Sequence, residues 1–255
     1  MNASTPTPHS DPQPPPRQLC HPPRLGPVSA LAAAGMVLVA VMGWFLQDST
    51  FDLAATQAAN RDFTGATRQF FDAIYAALLG RNLPLVLLAG LVVIGLISRR
   101  LLRPLISVLT IASTWALVFI PKALVGRPRP DWDFLTHPPQ GLPSDMSFPS
   151  GHTTFIAVTV AVCLIATYRG LDSSLPRSTV GWKGIGLVAV VGCAAIALIV
   201  TTVMARGVHF PSDAAGAIIF SFSLAPLVWT LWEKLAFHLL PRGCSAPRGH
   251  QSPVA

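Results

Sequence analysis

The chain has 255 residues, 51% of them hydrophobic and 11% charged, with a formal net charge of +7. A soluble domain is roughly 25% charged, so this composition excludes an ordinary water-soluble globule. The positive charge does not point to nucleic acid either, because Lys and Arg flank apolar runs and do not gather into one basic face.

Residues 1–27, with TPTP, PQPPP and HPP, cannot bury a core and are expected to form a disordered cytoplasmic tail. Apolar runs then recur at Leu31–Gln47, Leu101–Ile120, Thr153–Tyr168, Gly184–Met204 and Ala214–Trp232. Each is close to the length that crosses ~30 Å of hydrocarbon at ~1.5 Å per residue. The first run is too long for a signal peptide and no small-residue cleavage site follows it, so it reads as a retained anchor. The shorter run Leu83–Ser98 is flanked by Arg81, Asn82, Arg99 and Arg100, which can snorkel at its ends, and counts as a sixth span. The predicted fold class is all-α, a polytopic membrane bundle of six transmembrane helices over residues 28–238, with residues 239–255 a second disordered cytoplasmic tail.

An even number of spans puts both termini on one side, and the positive-inside bias makes that side the cytoplasm. The outer segments then hold Arg61, Arg68, Arg81, Lys122, Arg127, Arg129 and Arg206. Lys122, Arg127, Arg129 and Arg206 adjoin span ends where the topology rule would not place them, so they need another role. Cys163 and Cys193 fall in spans and Cys20 and Cys244 in the tails, so the thiols read as small apolar groups with no disulfide.

The outer segment 51–80 is too polar to cross the membrane. Phe70, Ile74 and Leu78 repeat in it at four-residue spacing, with Phe71 and Tyr75 beside them, which predicts an amphipathic helix at the outer interface. It serves either as a connector that covers the bundle or as a lid or lipid gate.

The second outer segment, 122–152, is a fixed loop rich in proline. Lys122, Arg127 and Arg129 lie at one end, and Ser150, Gly151 and His152 open the next span at the other. A helix starting there leaves its first N–H groups unpaired, with Gly151 allowing close approach, which makes a cradle for phosphate. Asp131, Asp133 and His137 could bind a divalent ion, but a solvated proline-rich loop often carries such residues with no ligand role, and no metal or other cofactor is expected.

The third outer segment is the turn 205–213. With a helix starting near Phe210, Pro211 fits the first turn and Asp213 lies one turn beyond His209. A carboxylate there accepts the Nδ1 proton of His209 and leaves Nε2 nucleophilic. The three segments bring two histidines, an aspartate and several cations to one membrane face, a set suited to phosphoryl transfer without a metal.

At these residues the chain resembles the type 2 phosphatidic acid phosphatase superfamily of membrane lipid phosphatases, whose site is related to that of vanadium haloperoxidases. Its first motif, Lys, six residues and Arg-Pro, is met by Lys122, Arg129 and Pro130; its second, Pro-Ser-Gly-His, by Pro149, Ser150, Gly151 and His152. The third, Ser-Arg, five residues, His, three residues and Asp, is met by His209 and Asp213, while Thr202 and Val203 stand in place of Ser-Arg. Three motifs in order are a specific signal where each alone is weak.

The resemblance implies a six-span bundle with the site at its outer mouth, facing lipid headgroups outside the cytoplasm. It further implies that His209 forms a phosphohistidine, that Asp213 orients it, and that His152 protonates the leaving group and later acts as base. Lys122, Arg129 and the Ser150 and Gly151 donors would hold the phosphoryl oxygens. The implied activity is metal-independent hydrolysis of a lipid phosphomonoester or lipid pyrophosphate. A lipid phosphotransferase and a weakly active or non-catalytic lipid-binding relative are the alternatives. For the arginine missing at Val203 two readings stand. Arg206, three residues on, is about 60° away on the helix and could bring its fork to the same oxygens; or Arg206 only snorkels, and Arg127 or no residue replaces the lost one.

Overall fold

The computed structural model describes residues 25–79, 101–139, 145–171 and 179–239, with the single positions 85, 89, 90 and 93. The span expected at Leu83–Ser98 lies almost wholly outside the described residues, as do 1–24 and 240–255.

Among the described residues the regular elements are helices: α1 Gly26–Leu46, α2 Leu53–Asp62, α3 Gly65–Leu79, α4 Leu102–Leu117, α5 Phe119–Val125, α6 Gly151–Leu171, α7 Thr179–Ala205 and α8 Pro211–Leu239, with a 3-10 turn at Trp132–Phe134. Among the described residues five stretches are long and apolar enough to cross a membrane: α1, α4 and α5 together, α6, most of α7, and α8. On α7 the side chains of Leu187, Val190 and Val191 are exposed, an arrangement suited to lipid and not to water.

The α4–α5 span breaks at Val118. Pro121 has no N–H to return to Leu117, and its ring crowds the preceding turn. The Val118 N–H instead donates to Trp115 O at 3.2 Å, a tightened last turn.

Helix α8 is the central element and packs on α1, α4 and α6, while α6 also packs on α4 and α7. Ile106, Ile111, Phe155, Val158, Val162 and Trp229 form the buried cluster between α4, α6 and α8. Lipid gives little hydrophobic drive to helix pairing, so close approach of small residues carries the packing. Phe148, fully buried, wedges between Gly43 of α1 and Gly216 of α8: a Cβ on Gly216 would collide with its ring, and one on Gly43 would collide with Val125 and crowd the Phe148 ring at 3.3 Å. That wedge seats the loop that ends at Ser150.

The segment expected as one amphipathic helix is two. The chain turns at Gly65, which has φ +54°, and the polar helix α2 precedes it. The packed face of α3 carries Phe71 and Tyr75, whereas Phe70, assigned to the apolar repeat, is 55% exposed. Both α2 and α3 lie against α7.

Candidate active site

Helix α5 ends at Gly126, whose φ of +65° gives the left-handed turn that lets its N–H donate back to Lys122 O at 3.1 Å. The chain leaving this turn carries Arg127 inward. Arg127 is 1% exposed; its Nη1 donates to Asp213 Oδ1 and Ser212 Oγ, each at 2.7 Å, and its Nη2 to Ser49 O at 2.8 Å and Asp52 Oδ1 at 3.0 Å. The guanidinium also lies 3.9 Å from the centroid of the Phe210 ring.

Two residues on, Arg129 reaches the His209 turn. Its Nη1 donates to Val208 O at 2.6 Å and lies 3.3 Å from His209 Nε2, while its Nη2 donates to Asp145 Oδ1 at 2.6 Å. The ammonium of Lys122 pairs with Asp145 Oδ2 at 2.7 Å and donates to Met146 O. Half-burial alone would raise the Asp145 pKa, but hydrogen bonds and charge from Lys122 and Arg129 outweigh it and bring it down to about 2.

The turn from α7 to α8 places His209 by local rules. Gly207, at φ +68°, donates to Met204 O at 2.8 Å and Val208 to Val203 O at 3.1 Å, the paired bonds of a Schellman stop. Val203 and Val208 pack in one cluster beneath it. Pro211 then opens α8, and Asp213 Oδ2 accepts from the Phe210 N–H at 2.9 Å, closing the helix start. Asp213 is wholly buried, and its Oδ2 also takes the Ser147 hydroxyl and stands 3.3 Å from His209 Nδ1.

These partners fix the imidazole tautomer. A guanidinium can only donate, so Nε2 beside Arg129 carries the lone pair and the proton sits on Nδ1, facing the carboxylate. Burial pushes the His209 pKa down to about 4; the Asp213 bond opposes this and the Arg129 charge adds to it. The ring is therefore neutral near pH 7, with its free nitrogen beside a cation.

Helix α6 starts at Gly151, as the spacing of the second segment predicts. The Ser150 N–H donates to Asp213 O at 3.1 Å, so that amide is spent on the frame and not on a ligand. The Ser150 hydroxyl oxygen accepts from Thr153 Oγ1 at 3.0 Å. No described residue accepts from the Gly151 or His152 N–H, and these are the anion-facing donors a helix start offers. A Cβ on Gly151 would meet only Lys122 Cε, at 3.9 Å, which puts the lysine beside those amides. The arrangement joins a neutral, oriented imidazole to two cations and a helix N-terminus, groups that can stabilise an anion.

The PAP2 superfamily model matches residues 103–237, which include Lys122, Arg129, Ser150, His152, His209 and Asp213. The chain belongs to the PAP2 superfamily. Its fold is similar to the crystal structure described as the first transmembrane PAP2 type phosphatidylglycerolphosphate phosphatase from Bacillus subtilis, with a TM-score of 0.56 at 18% identity, over 84% of this chain and 97% of that one. No curated protein matches the chain. With its apolar helices, the chain is a multi-pass membrane protein of a phosphatase family.

Of the two readings of Arg206, the structure shows an arginine engaged by α3. Its Nη1 binds Asp72 Oδ1 of α3 at 2.7 Å, and its guanidinium lies 4.9 Å from the Tyr75 ring centroid. Val203 is wholly buried against Tyr75, Ile199 and Val208. At the residues weighed for a divalent ion, Asp131 Oδ1 accepts from the Asp133 N–H at 3.1 Å and the His137 N–H donates to Asn60 Oδ1 at 2.8 Å. Among the described residues no three His, Cys, Asp or Glu side chains converge as metal ligands would.

Sequence reasoning missed Arg127 as the partner of Asp213, as well as Asp52, Asp145, Ser147 and the α2–α3 contacts. Thr56 Oγ1 donates to His209 O at 3.1 Å and Asn60 Nδ2 to Ala205 O at 2.9 Å, so α2 holds both sides of the His209 turn. The one available signal was polarity: Thr56 and Asn60 are one turn apart, a spacing that puts both on a single face.

Proposed function

We propose that this protein is an integral membrane phosphatase that hydrolyses a lipid phosphomonoester or lipid pyrophosphate through a phosphohistidine on His209. The observation that carries the reading is the imidazole held between Asp213 at Nδ1 and Arg129 at Nε2. His209 Nε2 attacks phosphorus, the bond from phosphorus to the leaving oxygen breaks, and His152 gives that oxygen its proton. Lys122, Arg129, the Ser150 hydroxyl and the Gly151 amide hold the phosphoryl oxygens. Water then attacks the phosphohistidine with His152 as base, which releases inorganic phosphate and frees His209. The reaction needs no metal ion, and both termini are cytoplasmic with the site at the outer face, where lipid headgroups lie. The relative's lipid phosphate supports a lipid substrate.

The test is phosphate release by detergent-solubilised protein from a panel of phosphatidic acid, phosphatidylglycerol phosphate and polyprenyl pyrophosphate, with excess chelator present. Release is expected from at least one of them. His209→Ala is expected to abolish it and to remove the base-stable, acid-labile label left by a radioactive substrate. Near wild-type turnover in His209→Ala would overturn the phosphohistidine, and loss of turnover on chelation would overturn the metal-free reaction.

A further inference from the structure

The α2–α3 segment precedes the residues matched by the family model, yet it touches the site. Tyr75 of α3 is 3% exposed, and its ring centroid lies 4.8 Å from that of His152 with the planes 35° apart. The same ring packs on Val203 and Val208. It is also the ring beside which the Arg206 guanidinium lies while bonded to Asp72, one turn before Tyr75 on α3. His152 therefore has an aromatic wall, and that wall has its own brace.

We infer that Tyr75 is a positioning residue for His152, and that the ion pair of Arg206 with Asp72 fixes Tyr75 in that place. This rests on the role of His152 as proton donor proposed above. A general acid has to keep its nitrogen within hydrogen-bond reach of the leaving oxygen. An imidazole on the first turn of a helix can swing about two side-chain bonds, and a ring at stacking distance removes most of that freedom. The face of Tyr75 also attracts a cation, which suits the protonated imidazole that donates. The brace joins Arg206, which follows α7, to Asp72 on α3, the helix that carries the wall, so the position of His152 is set by the packing of α3 on the α7 end and not by α6 alone. At Val203 the chain packs an aliphatic side chain in the same cluster as this ring, and the guanidinium of the arginine three residues on lies over the ring.

The test separates a positioning role from a merely structural one by the leaving group. Dodecyl phosphate and 4-dodecylphenyl phosphate offer the same tail and phosphoryl group, but an alkoxide needs the proton far more than a phenoxide does. Tyr75→Ala is expected to lower kcat/KM for dodecyl phosphate, which reports only the steps up to loss of the leaving group, by about 30-fold or more while changing that for the phenyl ester by less than about threefold. Tyr75→Phe, which keeps the ring, is expected to restore the alkyl rate to within about threefold. Arg206→Gln and Asp72→Asn keep the ring but free it from its brace, and are expected to show a smaller fall with the same preference for the alkyl ester. Equal falls on both esters, or no fall on either, would overturn the inference even with His209→Ala and His152→Ala behaving as proposed. If Tyr75→Ala does not fold, the two brace variants decide alone. Failure of the wild type on both esters would instead overturn the lipid phosphomonoesterase reading beneath it.

Discussion

Replacing Arg127 tests the frame of the site. Its guanidinium is 1% exposed and joins Asp213, wholly buried, to Asp52, 8% exposed, through contacts of 2.7 and 3.0 Å. Arg127→Met would leave two carboxylates in a dry place with no cation between them. Breaking a buried pair in this way costs about 3–5 kcal/mol, because the charge left behind stays unsolvated. Arg127→Lys keeps the charge, but a compact ammonium cannot span both carboxylates, and an intermediate loss is expected. The catalytic effect follows the same bonds. Once Oδ1 of Asp213 loses its arginine, the carboxylate can rotate away from His209 Nδ1, and misplacement on the order of 1 Å costs about 100-fold in rate. The control is Arg61→Met, whose partner Asp62 is also charged but whose side chain is 66% exposed; such a pair contributes about 0–1 kcal/mol. The measurements are thermal unfolding in detergent by tryptophan fluorescence and turnover per folded molecule. If Arg127→Met unfolded at the same temperature as Arg61→Met, the Asp52 and Asp213 carboxylates would have to be hydrated or otherwise paired, and the reasoning would fail.

Two further outcomes follow from the charges around His209. With its pKa pushed down to about 4 by burial, kcat/KM is expected to keep its nucleophile until the pH falls through about 4; an acid limb centred near 6.5 would show a solvated ring. The folded state binds fewer protons here than the unfolded one, so this stability is present above pH 6.5 and lost as the pH falls toward 4, on the order of 3 kcal/mol by thermal unfolding. The second outcome concerns Asp145, which bonds the same two cations that would grip a phosphoryl group. Asp145→Asn removes a competing negative charge and is expected to tighten inhibition by inorganic phosphate about tenfold; weaker inhibition would make Asp145 a support for Lys122 and Arg129 and not a competitor.

What could be read from the sequence was what local spacing controls. The four residues from His209 to Asp213, the Pro211 helix start, the Gly151 start of α6 and the cluster of Lys122, Arg127 and Arg129 are all near-neighbour facts, and each has a local structural cause. The contacts that were missed join residues far apart in the chain. Thr56 meets His209, Asn60 meets Ala205 and Arg127 meets Asp52 only after α2 has folded against α7. Arg206 marks the limit of helical geometry as a guide. Its offset from Val203 is small enough for a long side chain to reach the same place, but the acceptor lies on α3, where Asp72 takes it. The apolar repeat at Phe70 misled for a related reason: at a membrane interface an exposed phenylalanine is stable, so periodicity alone does not say which face meets protein.

The long-range bonds also resolve an electrostatic conflict built into the local ones. His209 follows the C-terminus of α7, where free carbonyls carry the negative end of the helix dipole, and a phosphoryl group approaching His209 Nε2 would meet that end. The last four carbonyls of α7 each have a donor: Thr202 O takes the Arg206 N–H, Val203 O the Val208 N–H, Met204 O the Gly207 N–H and Ala205 O the Asn60 side chain; past the helix, Val208 O takes the Arg129 fork. The positive end of α8 is likewise engaged, since Asp213 Oδ2 takes the Phe210 N–H and Asp52 Oδ2 the Ser212 N–H. The start of α6 is the exception, with the Gly151 and His152 amides unclaimed by any described residue. Of the three helix ends gathered around His209, two are satisfied by protein and one is left open to an anion. The open end is the one that carries His152, so in the proposed reaction the phosphoryl oxygens and the proton donor for the leaving group would share one turn.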